Sequence, residues 1–271
     1  MAIDGETSAL VPSVPALSAP PPPGQTQALS RGLRMLRILA ESQEPLSATE
    51  LAERLGVHQS SASRILATLA EEGYVRRRSY RSFVPDYGIL SLALNASHHF
   101  PIIERPRQVL VEAADAMPGM MFSLAMLFGG ETIYFLRTIK GRQPVLFEAT
   151  GYPLHVSSAG MLFLSDMPEA QARQLLAQSR SRSGWWILSD STPRDEDAAI
   201  ELARRSVQHE CLIVDWGTPG NVTAAIGLNP YDSQPLALTI NGPASMASHD
   251  ELRLSLHHLR RQVEATLQGP E

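Results

Sequence analysis

Three groups of residues in this 271-residue chain have types and spacings that suit chemistry. The first runs from Gln59, Ser60, Ser61, Ser63, Arg64 and Thr68 to Arg76, Arg77, Arg78 and Arg81. Small hydroxyls on one side of a helix allow close approach to a polyanion. Guanidinium groups make planar, bidentate contacts to phosphate and to guanine, and a glutamine can pair with adenine. The second group is Ser157, Ser158 and Ala159, placed where a helix is expected to start. Free backbone N–H groups at such a start, joined by hydroxyls, suit a carboxylate. The third is Cys211, His155 and Asp215, the residue types of a nucleophile, a base and an orienting acid. Cys211 opens the apolar run Cys211-Leu212-Ile213-Val214, the setting of a buried, unreactive thiol. The doublets His98-His99 and His257-His258 cannot turn both rings to one helix face, so they make poor metal pairs. No phosphate loop, dinucleotide fingerprint or H-E-x-x-H motif occurs.

The first group needs helices that hold it in place. From Gln27 a helical period begins, with Leu29, Leu33, Leu36 and Ala40 as one apolar stripe, and it ends before Pro45. Ser47 and Glu50 then form a capping box for a short helix that buries Leu51 and Leu55. Gly56 ends that helix as a left-handed residue. A third helix starts near Gln59 or Ser60, buries Ala62, Ile65, Leu66 and Leu69, and stops at Gly73. Residues 74–85 are rich in aromatic and β-branched types around a polar turn, the pattern of a two-stranded hairpin. Three helices with a tight turn before the third, followed by a basic hairpin, form a winged helix-turn-helix. Its third helix would enter the major groove, with Gln59, Ser60, Ser61, Ser63, Arg64 and Thr68 outward. Ser47 and the hairpin arginines Arg76, Arg77, Arg78 and Arg81 would meet the DNA backbone or minor groove. A solvated serine face, a solvated arginine loop and an Arg64 pair with Glu53 or Glu71 are the competing readings of these parts taken singly.

The net charge of −5 speaks at first against nucleic acid, but it is unevenly spread. Residues 27–90 hold nine arginines against seven acids, whereas residues 1–26 hold only Asp4 and Glu6. That N-terminal stretch, with Pro12, Pro15 and the run Pro20 to Pro23, reads as a disordered tail. The single cysteine excludes a disulfide framework, and a cytoplasmic setting fits. The N-terminal stretch lacks the basic start of a signal peptide, and the longest charge-free run in the folded part, residues 116–130, is too short to span a bilayer.

Residues 86–117 read mostly as helix with a break near 99–101, a linker that joins and dimerises. Beyond it, strands are expected at 121–128, 132–138, 145–147, 211–216, 222–228 and 236–240. Helices are expected at 157–164, 169–179, 194–209 and 248–267. This is an α+β, mixed-sheet domain with helices packed on it.

The motifs resemble the IclR-type bacterial transcription regulators. The matching stretches are Arg31-Gly32-Leu33, Pro45-Leu46-Ser47-Ala48-Thr49-Glu50-Leu51-Ala52, Gly56 to Leu66, and Gly73-Tyr74-Val75. In the second half, Gly151 to Gly160 is similar to the family's G-x-x-x-P-L-H-A-T-A-x-G-K motif, and Ala237 to Pro243 to its A-L-S-I-S-G-P. Departures are His58-Gln59 where members often have Pro-Lys, Met161 in place of a lysine, and Thr223 in place of a cysteine. The resemblance implies a GAF-like effector-binding domain for a small carboxylate or aromatic acid. Ser158, Ala159, Asp215, Thr223, Thr239 and Asn241 match pocket positions. Trp216, with Met120, Met121, Met126 and Met161, would suit a larger, apolar effector, or else plain core packing.

The sequence is thus expected to fold as a winged helix-turn-helix (27–85), a helical linker (86–117) and an effector domain (118–271). Its partners are double-stranded operator DNA, a small organic acid and further copies of itself, as a dimer or a dimer of dimers. No cofactor, metal or membrane is expected. The function would be repression or activation of a catabolic operon. A hydrolase using His155 and Cys211, or a metabolite sensor that does not read DNA, are the alternatives.

Overall fold

In a computed structural model, residues 26–139, 152–215, 220–231 and 234–268 are described. The proline-rich tail, the expected strand at 145–147, Gly151 and Trp216 lie outside them. The chain divides into two compact units, with the boundary between Phe100 and Pro101.

The N-terminal unit packs α1 (Gln27–Glu41), α2 (Ala48–Leu55) and α3 (Gln59–Glu71) with a small sheet. That sheet is β1 (Leu46–Ser47), β3 (Ser82–Pro85) and β2 (Val75–Arg77), in that order. The local signals act as expected. The Ser47 hydroxyl accepts from Glu50 N while the Glu50 carboxylate accepts from Ser47 N, and Gly56 closes α2 at φ +64°. The stripe read on α1 is a correction. Met35, Ile38 and Leu39 are the buried residues, with Gly32, whereas Leu29 and Leu33 are exposed. Both sets recur at helical spacing. What selects between them is α3, which approaches at Gly32 and leaves Ile65 Cγ2 3.8 Å from where a Cβ would stand. On α3, Ala62 and Leu66 are buried as expected, but Ile65 and Leu69 are only partly so. Helix α4 (Tyr87–Ser97) closes this unit, held at its start by Gly88 N donating to Gly73 O at 3.0 Å.

The second unit begins with α5 (Pro101–Glu104) and α6 (Arg107–Ala116), so the expected linker has a further break at Arg105-Pro106. A six-stranded sheet follows. Its strands are β4 (Met121–Phe128), β5 (Glu131–Ile139), β6 (Val207–Gln208), β7 (Cys211–Val214), β8 (Asn221–Tyr231) and β9 (Gln234–Pro243). Their order is β5-β4-β9-β8-β7-β6, and every described pairing between them is antiparallel. The α+β class holds, while the expected mixed pairing does not appear among these strands. The hairpins β4–β5 and β8–β9 bring neighbours together without a crossover helix.

Strand periodicity gives the sheet two apolar faces. Phe122, Leu124, Leu238, Ile240, Ala224 and Ile226 face α6 and α10 (His249–Leu267). Ala125, Ala237, Ala225, Leu212 and Val214 face α7 (Ser158–Ser165), α8 (Glu169–Ser183) and α9 (Glu196–Ser206). The helix expected through His209 stops at Ser206, because His209 and Glu210 adopt φ of 50° and 64° and turn the chain from β6 into β7. Gly160 lets α7 lie close. A Cβ there would stand 2.5 Å from Leu154 O and 2.6 Å from Ser157 Oγ.

Candidate functional site

Two sites emerge, one in each unit. In the N-terminal unit, α3 turns Gln59, Ser60, Ser63, Arg64 and Thr68 to solvent, with Ser61 half-buried. No ion pair holds Arg64 among the described residues, so neither Glu53 nor Glu71 claims it. Thr68 Oγ1 donates to Arg64 O at 3.3 Å and keeps to the helix. Ser47 acts as the cap of α2 and is half-buried.

The hairpin arginines, expected as a set, divide into two kinds. Arg76 Nε lies 3.6 Å from Asp86 Oδ1. Arg77 Nη1 donates to Tyr80 O at 3.1 Å and its guanidinium sits 5.0 Å from the Phe83 ring centroid. Arg78 and Arg81 are exposed, and their side chains make no ion pair among the described residues. All five of the arginines expected to meet DNA are exposed; Arg64, Arg78 and Arg81 make no ion pair among the described residues, while Arg76 and Arg77 also contact Asp86, Tyr80 and Phe83.

In the second unit, the sheet face under α7 carries a patch of hydroxyls. Ser157 is the N-cap of α7. Its hydroxyl accepts from Gly160 N at 2.9 Å and donates to Thr132 Oγ1 at 2.8 Å. Ser158 is buried, and Thr223 Oγ1 donates to its hydroxyl at 2.9 Å. Ala159 is wholly buried in the core beneath. Thr239 Oγ1 donates to Ser123 O at 3.4 Å, and Asn241 sits in register between Met121 and Thr223. Ser157, Ser158, Ala159, Thr223, Thr239 and Asn241 thus fall on one face, as the sequence reading grouped them. Asp215 does not join them. Val214 points to the α7 face, so the next residue points away, and Asp215 is exposed with its carboxylate 3.2 Å from His249 Nε2 at the start of α10. Of the methionines, Met120 is core on the opposite face and Met161 is core beneath α7.

Sequence reasoning missed four residues of this face. Ser123, Arg137, Tyr134 and Tyr152 stand at its β4–β5 end. Arg137 Nε donates to Ser123 Oγ at 3.1 Å, and the guanidinium lies 5.1 Å from the Tyr134 ring centroid. Tyr134 and Tyr152 meet edge to face at 5.5 Å. Burial pushes the Tyr134 hydroxyl above its usual pKa, against hydrogen bonds with Ser157 and Ser158, so the phenol stays neutral. Burial likewise draws Arg137 below the usual arginine value. The available signal was a lone arginine inside the otherwise uncharged run Thr132 to Thr138.

The catalytic alternative finds no geometry. Cys211 is buried in the core against α10, the face opposite to His155, and burial pushes its thiol up to about 11. His155 is buried, stacked on Trp185 at 3.8 Å, and shares its Nε2 with the Trp186 backbone. Burial lowers its pKa. Among the described residues no group of His, Cys, Asp and Glu could hold a metal, and no helix is long and apolar enough to cross a membrane. Cys211 is accordingly expected to resist a disulfide-exchange reagent in the native protein at pH 7.5 and to react fully once the chain is unfolded. Fast native reaction would return it to the candidate nucleophiles.

A family model described as the IclR helix-turn-helix domain matches residues 28–79. The chain is 29% identical to the acetate operon repressor of Salmonella typhimurium over 170 residues, covering 60% of this chain and 61% of that one. It is 26% identical to the transcriptional repressor IclR of Escherichia coli over 177 residues, with the same shares. The chain thus spans about three fifths of the length of these curated relatives. Among solved structures, an IclR family transcriptional regulator from Brucella abortus superposes with a TM-score of 0.74 at 19% identity, covering 93% of this chain and 99% of that chain. An IclR homolog from Microbacterium hydrocarbonoxydans, complexed with 4-hydroxybenzoate, superposes with a TM-score of 0.61 at 18% identity, covering 89% and 99%.

Proposed function

We propose that this chain, whose residues 28–79 match the IclR helix-turn-helix model, is an IclR-type transcription regulator that reads duplex DNA and answers to a small organic acid. It acts as a repressor or a local activator of a catabolic operon. The observation that carries the reading is the outward face of α3. A helix buried through Ala62 and Leu66 presents Gln59, Ser60, Ser63 and Arg64 to solvent, and the hairpin that follows carries four exposed arginines, of which Arg78 and Arg81 make no ion pair among the described residues. Such a helix fits the major groove, and Arg78 and Arg81 fit the flanking backbone.

The effector site is the hydroxyl-lined sheet face under α7, centred on Ser158 and Thr223. The Microbacterium homolog is complexed with 4-hydroxybenzoate, which makes that acid a reasonable first probe. The working unit is a homodimer or larger, since two recognition helices suit a near-palindromic site. Helix α6 is committed to the sheet through Leu110, Ala113 and Ala114, whereas α4 buries none of its residues, so α4 is the part of the linker available for a second copy. Effector binding would shift the population between two half-site spacings.

The test is selection of duplexes from a random-sequence pool by the full chain. The expected result is enrichment of one near-palindromic sequence, bound with Kd on the order of 10⁻⁸ M or tighter at physiological salt. A pool that never enriches, or equal affinity for all duplexes, overturns the reading.

A further inference from the structure

Residues 184–193 join α8 to α9 as a strap folded mostly on itself. Trp185 Nε1 donates to Pro193 O at 2.8 Å, and Leu188 N and Ser189 N donate to Thr192 Oγ1 at 3.1 and 3.0 Å. Trp186, Ile187 and Leu188 are exposed despite their apolar side chains. Among the described residues, His155 is the one hydrogen-bonding partner that residues 185–192 have beyond 183–194. It stands in the 3₁₀ turn Leu154–Val156 that leads into α7. Its ring stacks on Trp185 at 3.8 Å, and its Nε2 lies 3.1 Å from Trp186 N and 2.9 Å from Trp186 O.

One ring nitrogen cannot serve both. Bare, Nε2 accepts from Trp186 N; protonated, it donates to Trp186 O and leaves that N–H unpaired. The other nitrogen, Nδ1, is buried with no partner among the described residues. A neutral ring leaves one uncharged group unmet there. An imidazolium would bury a charge together with an N–H that nothing accepts, which costs far more. Stacking on Trp185 offers that cation little, since the Arg180 guanidinium already lies 5.8 Å from the same ring centroid.

We infer that residues 184–193 form an acid-released strap latched by His155: the neutral imidazole holds it and the imidazolium lets it go. Burial keeps the latched ring below its ordinary value of 6.5, whereas a released ring regains it. The latched form therefore binds fewer protons, and release grows easier as pH falls through 6.5. The charged and titratable groups of the surrounding elements are few. Arg182 of α8 pairs with Glu131 of β5 at 3.3 Å, and Asp190 of the strap faces Arg194 at 3.9 Å. Arg180, Tyr134 and Tyr152 complete the set; α7 carries no charge, and no second histidine stands on these elements. Tyr152 meets Trp186 at 6.3 Å and Tyr134 at 5.5 Å, so the state of the strap reaches the sheet face under α7.

The test uses the full chain with Trp186→Phe and Trp216→Phe, which leaves Trp185 as its one tryptophan and keeps the backbone at 186. Emission and acrylamide quenching are followed from pH about 7.5 to about 4.5, beside far-ultraviolet circular dichroism. The emission is expected to shift red and to become easier to quench as pH falls below 6.5, with the dichroism unchanged. The latched-to-released ratio should fall by no more than about tenfold per pH unit, the slope of one proton. His155→Gln should abolish the change, while Asp190→Asn and Glu131→Gln, which remove the nearby carboxylates, should keep it. No change in this range, a change that survives His155→Gln, one that vanishes with either carboxylate, or one that coincides with loss of dichroism overturns the latch. So does quenching without a red shift, the mark of a ring that charges in place while the strap stays down. The carboxylate variants and the dichroism decide the matter even where His155→Gln does not fold.

Discussion

Replacing Arg64, Arg78 and Arg81 together by alanine is expected to reduce operator affinity by about 100- to 1000-fold at physiological salt. It should also flatten the slope of log affinity against log salt by about two to three units, since each phosphate contact contributes roughly 0.9. The two effects have different sources. Arg64 stands on the groove-facing side of α3, so its loss should relax discrimination at one base position, worth about 1–3 kcal/mol. Arg78 and Arg81 stand on the hairpin, so their loss should weaken all duplexes alike. Arg76→Ala with Arg77→Ala is the informative contrast. Arg76 faces Asp86 at 3.6 Å, and Arg77 is tied to Tyr80 O and Phe83. This pair should change the salt slope by less than half as much and show itself mainly in the melting temperature. The measurement is fluorescence anisotropy on the selected duplex at four salt concentrations. A triple variant with the parent's slope and affinity would move the interface off α3 and the hairpin.

The separation of those arginines illustrates how far the residues speak for themselves. The capping box of Ser47 and Glu50, the Gly56 stop and the 75–85 hairpin were all legible, because each depends on residues within a few positions. Charge counts could not say that Arg76 faces Asp86 and Arg77 lies against Phe83, because those partners reach them only once β2 and β3 pair. The α1 stripe failed for a related reason. Two apolar stripes flank one another there, and only the approach of α3 at Gly32 decides which is covered.

The sheet face repeats the pattern. Thr223, Thr239 and Asn241 were placed together by resemblance, and the register agrees, since rows two residues apart on adjacent strands share a face. Asp215 was grouped with them, although period-two alternation after Val214 already turns it to α10 and His249. Arg137 was illegible from spacing because its neighbour Ser123 lies 14 residues away and meets it only through the β4–β5 register, which slips by a bulge at Leu124/Ala125. The end of α9 was illegible too. Residues 194–209 keep helical spacing, and the positive φ angles at His209 and Glu210 carry no glycine to announce them.

Charging the uncovered apolar surface of the N-terminal unit is expected to have an effect as large as removing the arginines. Leu29 and Leu33 on α1 are 63% and 60% exposed, and Leu90, Leu92 and Leu94 on α4 are all more than half exposed. A groove between α1 and α3, lined by Leu29, Leu33, Leu36, Ile65 and Leu69, has Leu92 of α4 at its edge. Each such leucine gains about 1.5–3 kcal/mol when it leaves water, so this surface suits an apolar partner. If that partner is a second copy, Leu33→Glu with Leu92→Glu leaves two unpaired carboxylates in the contact and separates the copies. Each recognition helix then binds its half-site alone. The advantage of joining two sites, about 10²- to 10⁴-fold, disappears for the full operator, while affinity for an isolated half-site stays as in the parent. Sedimentation equilibrium reads the assembly, and titration of full and half operators reads the coupling. A double variant that remains a dimer and binds the full operator as the parent does would show that this surface does not join the copies. A monomer with undiminished full-operator affinity would show instead that one copy reads the DNA alone.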